Sequence, residues 1–396
     1  MNVPKLRFKE FNDEWIETKI QNVATVIGGG TPSTDEPKYW GNEINWFTPS
    51  EIGKTKYVTI SNRKISQDGL KNSSAKLLPK GTILLSSRAT VGEASILLNE
   101  ASTNQGFQSL IVNENNCNEF IYYLKYKYKR EMLIKSFGST FLEISKSNVE
   151  NIKIKIPSKE EQLKVANFLS LLDKKIELQS KKIEDLKLFK KGLINNELNC
   201  LNNCQSVSLN DLGITYSGLS GKTKEDFENG NCKFINFMSV LKDNIDISSL
   251  TTVKINPNEK QNKVEKGDLF FMTSSETKEE VALCSTLSYD VKNLYLNSFC
   301  FGYRINDLNV INNEYLNCLL HSPKYRKQIS NLGQGFTRVN ISKNKLLELL
   351  IEVPDMKQQL RIVSINNKLN CKINLENEKL NKLSELKKGL MQKMFV

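Results

Sequence analysis

Three groups of side chains in this chain invite a chemical reading. Asp268, Glu276 and Lys278 can be arranged as the acid, acid, lysine set of a Mg²⁺-dependent nuclease. "SGLSGKT", residues 217–223, ends like a phosphate-binding loop, and Cys200, Cys204, Cys318 and the only histidine, His321, can be combined on paper into a zinc site. None of the three survives its spacing. Glu-x-Lys is cheap in a chain with 56 Lys plus Arg and 44 Asp plus Glu, and the matching first-half segment "GTILLSSRAT" contains no acid. The first glycine of a phosphate loop should stand where the chain has Tyr216, and neither cysteine pair has finger spacing. A glycine-rich methyl-donor loop and an Asn or Asp followed by Pro-Pro-aromatic are also missing. The chain is therefore expected to be no enzyme, with no metal and no cofactor of its own.

Charge points to a partner instead. A formal net charge of +12 and a pI near 9.1 suit a polyanion, either nucleic acid or an acidic membrane surface. No run of 18 or more apolar residues exists, and "MNVPKLRFKEFNDEW" lacks the apolar stretch of a signal peptide, so a soluble, cytoplasmic protein is expected. Eight scattered cysteines argue against a disulfide framework.

The elements that must position any such contacts occur twice. "IPSKEEQLKVANFL" (156–169) is echoed by "VPDMKQQLRIVSIN" (353–366), and Pro157 and Pro354 stand 197 positions apart. The same offset carries "KKGL" (190–193) onto "KKGL" (387–390), "KYKR" (127–130) onto "KYRK" (324–327), and Gly138, Thr140, Ile144 and Ser145 onto Gly335, Thr337, Ile341 and Ser342. Only further upstream does it drift, to 186 at "PKGTILL" against "EKGDLFF". One module of roughly 200 residues is used twice, a length suited to one domain each.

Each copy has a mixed and a helical portion. Residues 1–156 and 205–353 combine strand-like runs such as "GTILLSS", "FQSLIV", "GDLFFMTS" and "FCFGYRI" with one helical stretch each, 118–136 and 313–331. Residues 157–204 and 354–396 show a heptad line instead. In the first it runs through Leu169, Leu172, Ile176, Ile183, Leu186 and Leu193, and in the second through Leu369, Ile373, Leu380, Leu383 and Leu390. Gln179 and Lys190 interrupt the first line where Glu376 and Lys387 interrupt the second, which predicts that the two helices pack on each other. "YYLKYKYKR" (122–130) could be a stacking platform, but Phe120, Leu124 and Tyr128 recur every four residues and are expected to face a core, leaving Lys127, Lys129 and Arg130 for phosphates.

The opening "PKLRFKEFNDEWIETKI", the doubled helix entrances, the "KKGL" repeats and "GFTRVNIS" (335–342) together resemble the DNA-specificity subunit of a type I restriction-modification system, over essentially the whole chain. The first half departs at the last motif, reading "GSTFLEIS", so that Phe141 stands opposite Arg338. The resemblance implies an α+β fold: two tandem globular α/β target-recognition domains, each followed by a long helix, the helices forming an antiparallel coiled coil with pseudo-two-fold symmetry. It further implies a bipartite, asymmetric duplex DNA site. The partners implied are two DNA methyltransferase subunits and two motor-nuclease subunits, which would carry the S-adenosylmethionine, ATP and Mg²⁺.

Base reading needs forked donors and amides in loops, while Lys, Ser and Thr hold phosphates. The candidates are Thr31 and Ser33 in "GGGTPST", Lys54, Lys56, Arg63, Lys64, Arg88, Asn104 and Gln105 in the first domain, and Lys222, Lys224, Lys278, Asn297 and Arg338 in the second. The competing reading is a basic coiled-coil scaffold that binds DNA without sequence preference.

Overall fold

The computed structural model describes residues 3–138, 142–227, 230–241, 244–335 and 337–396; Thr140 and Phe141 of the first-half motif lie outside them. The chain divides into two compact units, Met1–Gln179 with Lys379–Val396, and Ser180–Glu378. These divisions fall inside the long helices Lys159–Asn199 and Met356–Met394. The reason is packing. Val165, Ala166 and Leu169 share one apolar cluster with Trp15, Phe120, Met391, Met394 and Phe395 in the first unit. In the second, Ile194, Leu198, Ile362 and Val363 pack with Leu269, Tyr303 and Tyr315. Full burial stabilises each such side chain by about 1.5–3 kcal/mol, so each helix end is held by its domain core.

In the first unit a five-stranded sheet runs in the order Ala24–Gly28, Gln108–Val112, Ile83–Leu85, Ala94–Leu97, Tyr57–Val58. Beside it lies a three-stranded sheet, Arg63–Ile65, Trp40–Phe47, Ser102–Thr103. The helix Asn118–Lys135 buries Phe120, Leu124 and Tyr128, as its four-residue spacing predicts, together with Tyr122 and Tyr123. The second unit repeats the plan with four strands, Gly213–Ser217, Cys300–Ile305, Leu269–Met272, Cys284–Thr286, and three, Thr251–Val253, Cys232–Ile235, Leu294–Leu296. Its helical stretch is broken into Asn313–Leu320 and Pro323–Leu332. Ser322 is extended at ψ 151 because the residue before a proline is forced out of the helical region.

A short antiparallel pair closes each domain, Ile16 opposite Ile156 and Gln205 opposite Val353. The echo that follows has a specific task. Gln162, 1% exposed, accepts from the Cys117 backbone N–H at 2.9 Å and donates to the Pro157 carbonyl at 3.0 Å. Gln359, fully buried, accepts from the Asn312 N–H at 2.8 Å and donates to the Pro354 carbonyl at 2.9 Å. Each glutamine thus ties the entrance of a long helix to the entrance of a domain helix, whose first N–H groups have no intrahelical acceptor.

The heptad line is the covered face of both helices. Leu169, Ile183 and Ile373 are buried, and Leu172, Ile176, Leu186, Leu193, Leu369, Leu380, Leu383 and Leu390 are half-buried, whereas Leu171, Leu178, Leu188, Leu375 and Leu386 off the line are exposed. Within the second unit Lys182 pairs with Glu376 at 3.0 Å, Lys190 donates to Asn370 at 2.7 Å, and Arg361 pairs with Glu197 at 3.1 Å, so the segments run antiparallel there. Within the first, Lys387 pairs with Asp173. Lys387 is the repeat counterpart of Lys190, and Asp173 of Asn370, so one contact is the other with its roles exchanged.

Candidate nucleic-acid interface

The glycine loop of the first unit is shaped by contact with its neighbours. A Cβ on Gly29 would lie 2.0 Å from the Asn104 carbonyl oxygen, and one on Gly30 would lie 2.4 Å from the Ala75 nitrogen. Only glycine allows so close a backbone approach. Trp46 then donates its indole N–H to the Gly30 carbonyl at 2.9 Å, and Trp40 donates to the Ser33 carbonyl at 3.0 Å. Over the paired indoles lies Arg63, its guanidinium 3.7 Å from the Trp40 ring and 5.4 Å from that of Trp46. Thr31 donates to the Gln105 side-chain carbonyl in the same neighbourhood. Stacking holds the guanidinium plane while its N–H edges stay exposed, the geometry needed for a bidentate contact with a base edge.

Five of the predicted residues are thereby gathered: Thr31, Ser33, Arg63, Gln105 and, across the backbone bond from the Ser87 N–H to the Gly106 carbonyl, Arg88. Arg88 is ion-paired with Glu143 at 2.8 Å and remains 44% exposed at its side chain. Lys64 adjoins Arg63 on the strand and is half-buried, and exposed Lys54 sits apart on the turn whose Gly53 N–H donates to Ser95. In the second unit Lys278 and Arg338 are exposed on neighbouring segments, with Arg338 Nε donating to Ser274 at 3.0 Å. Exposed Lys224 lies elsewhere in the second unit, beside Thr251–Val253.

Four predicted residues are instead used by the fold. Lys56, only 10% exposed at its side chain, donates to Ser170 at 2.6 Å and Tyr123 at 3.2 Å and pairs with Glu119; burial pushes its ammonium below the ordinary lysine range, partly offset by Glu119. Lys222, 6% exposed at its side chain, is spent on the Lys254 carbonyl and Glu259, both at 2.6 Å, and that ammonium helps hold the Glu259 carboxyl down at about 2. Asn297 is buried, accepting from the Phe299 N–H at 2.9 Å and donating to the Ile235 carbonyl at 3.1 Å. Asn104 accepts from the Gly106 N–H at 2.9 Å in the corresponding turn. These two asparagines are counterparts: the Asn104 N–H bonds Phe47 and the Asn297 N–H bonds Ile235. Asx turns of this type are common strand-end connectors.

Asp268 is likewise structural. It is 1% exposed and saturated by Arg304 at 2.9 and 2.8 Å, Tyr216 at 2.6 Å and the Glu265 N–H at 2.8 Å. Among the described residues no three His, Cys, Asp or Glu side chains converge as a metal set, and no helix is long and apolar enough to cross a membrane.

The same framework underlies the second unit, with a different tip. Gly218 approaches the Asn297 carbonyl as Gly29 approaches that of Asn104, so "SGLSGKT" is the counterpart of "GGGTPST". By strand register Phe234 stands opposite Thr251 where Trp46 stands opposite Arg63. Scaffold is kept and contact chemistry is changed. A family model described as the type I restriction modification DNA specificity domain matches twice, over residues 12–188 and 202–385. The chain belongs to this specificity family. The family is defined by specificity and not by catalysis. Among its relatives the specificity subunit of the type I restriction enzyme MjaIX from Methanocaldococcus jannaschii is 41% identical over 193 residues, 46% of this chain and 45% of that protein, so the chain matches about half the length of that relative. In fold, the S subunit of a type I restriction-modification system from M. genitalium aligns over 100% of this chain and 99% of its own with a TM-score of 0.57 at 18% identity. A chain from a structure of type I system complex assembly and conformational transition aligns over 98% and 99% with a TM-score of 0.63 at 17% identity.

The indole platform of Trp40 and Trp46 was not anticipated from sequence. Its signal was present: two of the three tryptophans lie six residues apart just after a triple glycine.

Proposed function

We propose that this chain is the non-catalytic specificity subunit of a type I restriction-modification complex, reading a bipartite, asymmetric site in duplex DNA and directing methyltransferase and motor-nuclease subunits to it. The observation that carries the reading is the pairing of a shared scaffold with unlike tips, Trp46 and Arg63 in one unit against Phe234 and Thr251 in the other. Two unlike reading surfaces select two unlike base blocks. A scaffold binding DNA by charge alone gains nothing from that difference, because phosphates are the same everywhere.

The test is a domain exchange in the assembled complex. Residues 16–156, closed by their own strand pair, are replaced by the equivalent domain of a relative, and the methylated motif is read by methylation-sensitive sequencing. One block of the motif changes and the other stays. A change in both blocks, or in neither, overturns the modular reading, and a ratio near one between motif and random duplex in competition supports the non-specific scaffold instead.

A further inference from the structure

We propose that each unit reads one guanine with an arginine held at the same corner of its fold, Arg88 in the first and Arg338 in the second, and that Glu143 and Ser274 are the residues that position them. The inference rests on the specificity-subunit reading and names a base for each block.

The corner is built alike in both units. A loop closes on itself by paired backbone bonds, Phe137 with Glu143 at 3.0 Å in each direction and Gln334 with Asn340 at 2.8 Å in each direction. Each loop then docks on the segment that follows a central sheet strand: the Ile144 N–H donates to the Ser87 carbonyl at 3.0 Å, and the Ile341 N–H donates to the Thr273 carbonyl at 3.1 Å. Arg88 therefore stands opposite Glu143 where Ser274 stands opposite Asn340. The same segment bonds onward to the tip, from the Ser87 N–H to the Gly106 carbonyl and from the Thr273 N–H to the Phe299 carbonyl. The corner thus adjoins the Asx turns of Asn104 and Asn297.

The two units place the same group here from opposite sides. In the first, the sheet side supplies Arg88, whose Nε lies 2.8 Å from Glu143 Oε1. In the second, the sheet side supplies Ser274 and the loop supplies Arg338, whose Nε donates to the Ser274 hydroxyl at 3.0 Å. On the neighbouring strands Arg63 gives way to Thr251, but at this corner the arginine is kept and only its place in the sequence is exchanged. That points to a task common to both tips. Each guanidinium is held through Nε, and among the described residues none accepts a hydrogen bond from the Nη groups of either. Two outward N–H groups in one plane are the fork that matches O6 and N7 of guanine in the major groove. Phosphate is the poorer match for Arg88, because the carboxylate beside it offsets the charge on which phosphate attraction depends.

Binding of the assembled complex to variants of its own methylated motif tests this. Changing one G·C pair in the block read by the first unit should weaken binding about tenfold or more. R88A should remove that dependence, and R338A should do the same in the other block. 7-Deazaguanine at the pair, which lacks the N7 acceptor, should weaken the native complex and leave the R88A complex unaffected. R88K should not rescue, since an ammonium cannot fork. E143A should blunt the guanine preference and E143Q, which keeps an acceptor for Nε, should retain it; S274A and S274T should behave likewise toward Arg338. The inference is overturned if neither arginine variant makes a G·C pair neutral, or if both weaken all sequences alike with a flatter salt dependence. An unchanged guanine preference in E143A overturns the positioning role. A native complex that methylates no motif at all removes the specificity-subunit reading itself, so the two failures are distinct.

Discussion

In the proposed reading, Arg63 is a long, flexible cation turned into a reading group. Alone it would lose rotamer entropy on binding; laid on Trp40 at 3.7 Å, it is already oriented before any contact. In the assembled complex, R63A should relax specificity at one or two positions of a single block, with about 1–3 kcal/mol lost at each contacted base pair. Equal weakening on all sequences, with a flatter salt dependence, would assign Arg63 to phosphate. Lys125 is the opposite case. Burial pushes its ammonium down to about 8 from an ordinary value of 10.5, while it donates to the Ala94 carbonyl. The unfolded chain therefore binds the proton more tightly than the fold does, and stability from this group rises as pH climbs from about 8 to 10.5. K125M should melt higher than the native chain at pH 7, and the gap should narrow across that window; a gap independent of pH would contradict it. At this scale the sequence was only half legible. Asn104 and Asn297 are residue types equally suited to a base edge and to an Asx turn, and only the fold shows both spent on turns. Lys56 and Lys222 were indistinguishable from exposed lysines until Tyr123 and Glu259 were seen beside them.

The helices and their entrances were far more legible, since one physical cause repeated at heptad spacing leaves a pattern that loops do not. Leu169, Ile183 and Ile373 lie on the covered face where the pattern puts them, and the polar breaks at Lys190 and Lys387 find Asn370 and Asp173. The split of the second domain helix was missed although Pro323 announced it. What Gln162 and Gln359 do was not legible, because an amide repeated next to two helix starts says nothing about which distant N–H it accepts. Leucine at either position strands a buried N–H and a carbonyl, which costs about 1–3 kcal/mol for each stranded group. Hydrogen exchange gives the test. Q162L should speed exchange at the first turn of Asn118–Lys135 and leave Asn313–Leu320 unchanged, and Q359L should do the reverse. Equal effects of one variant on both helices would mean that the glutamines are not local clamps.

For the molecule as a whole, the proposed bipartite reading requires a fixed distance between blocks, and among the described residues Lys159–Asn199 and Met356–Met394 contribute to both units. On that proposal their length sets the spacer. Removing seven residues from each helix, within the covered lines Ile176 to Leu186 and Ile373 to Leu383, keeps the heptad in phase and preserves the covered face. The helices shorten by about 10 Å, comparable to about three base pairs at 3.4 Å each. Because the duplex turns once in about 10.5 base pairs, such a change also rotates one block by roughly 100° about the axis. Twisting the DNA to compensate is costly, so the deletion variant should either methylate a motif whose spacer is one to three base pairs shorter or lose methylation while circular dichroism shows helical content reduced only by the residues removed. Both blocks should keep their sequences, since Trp46 with Arg63 and Phe234 with Thr251 stand outside the deleted segments of the chain. A motif with unchanged blocks and an unchanged spacer would remove the helices as the ruler, and would leave the repeated entrances the task of docking partner subunits.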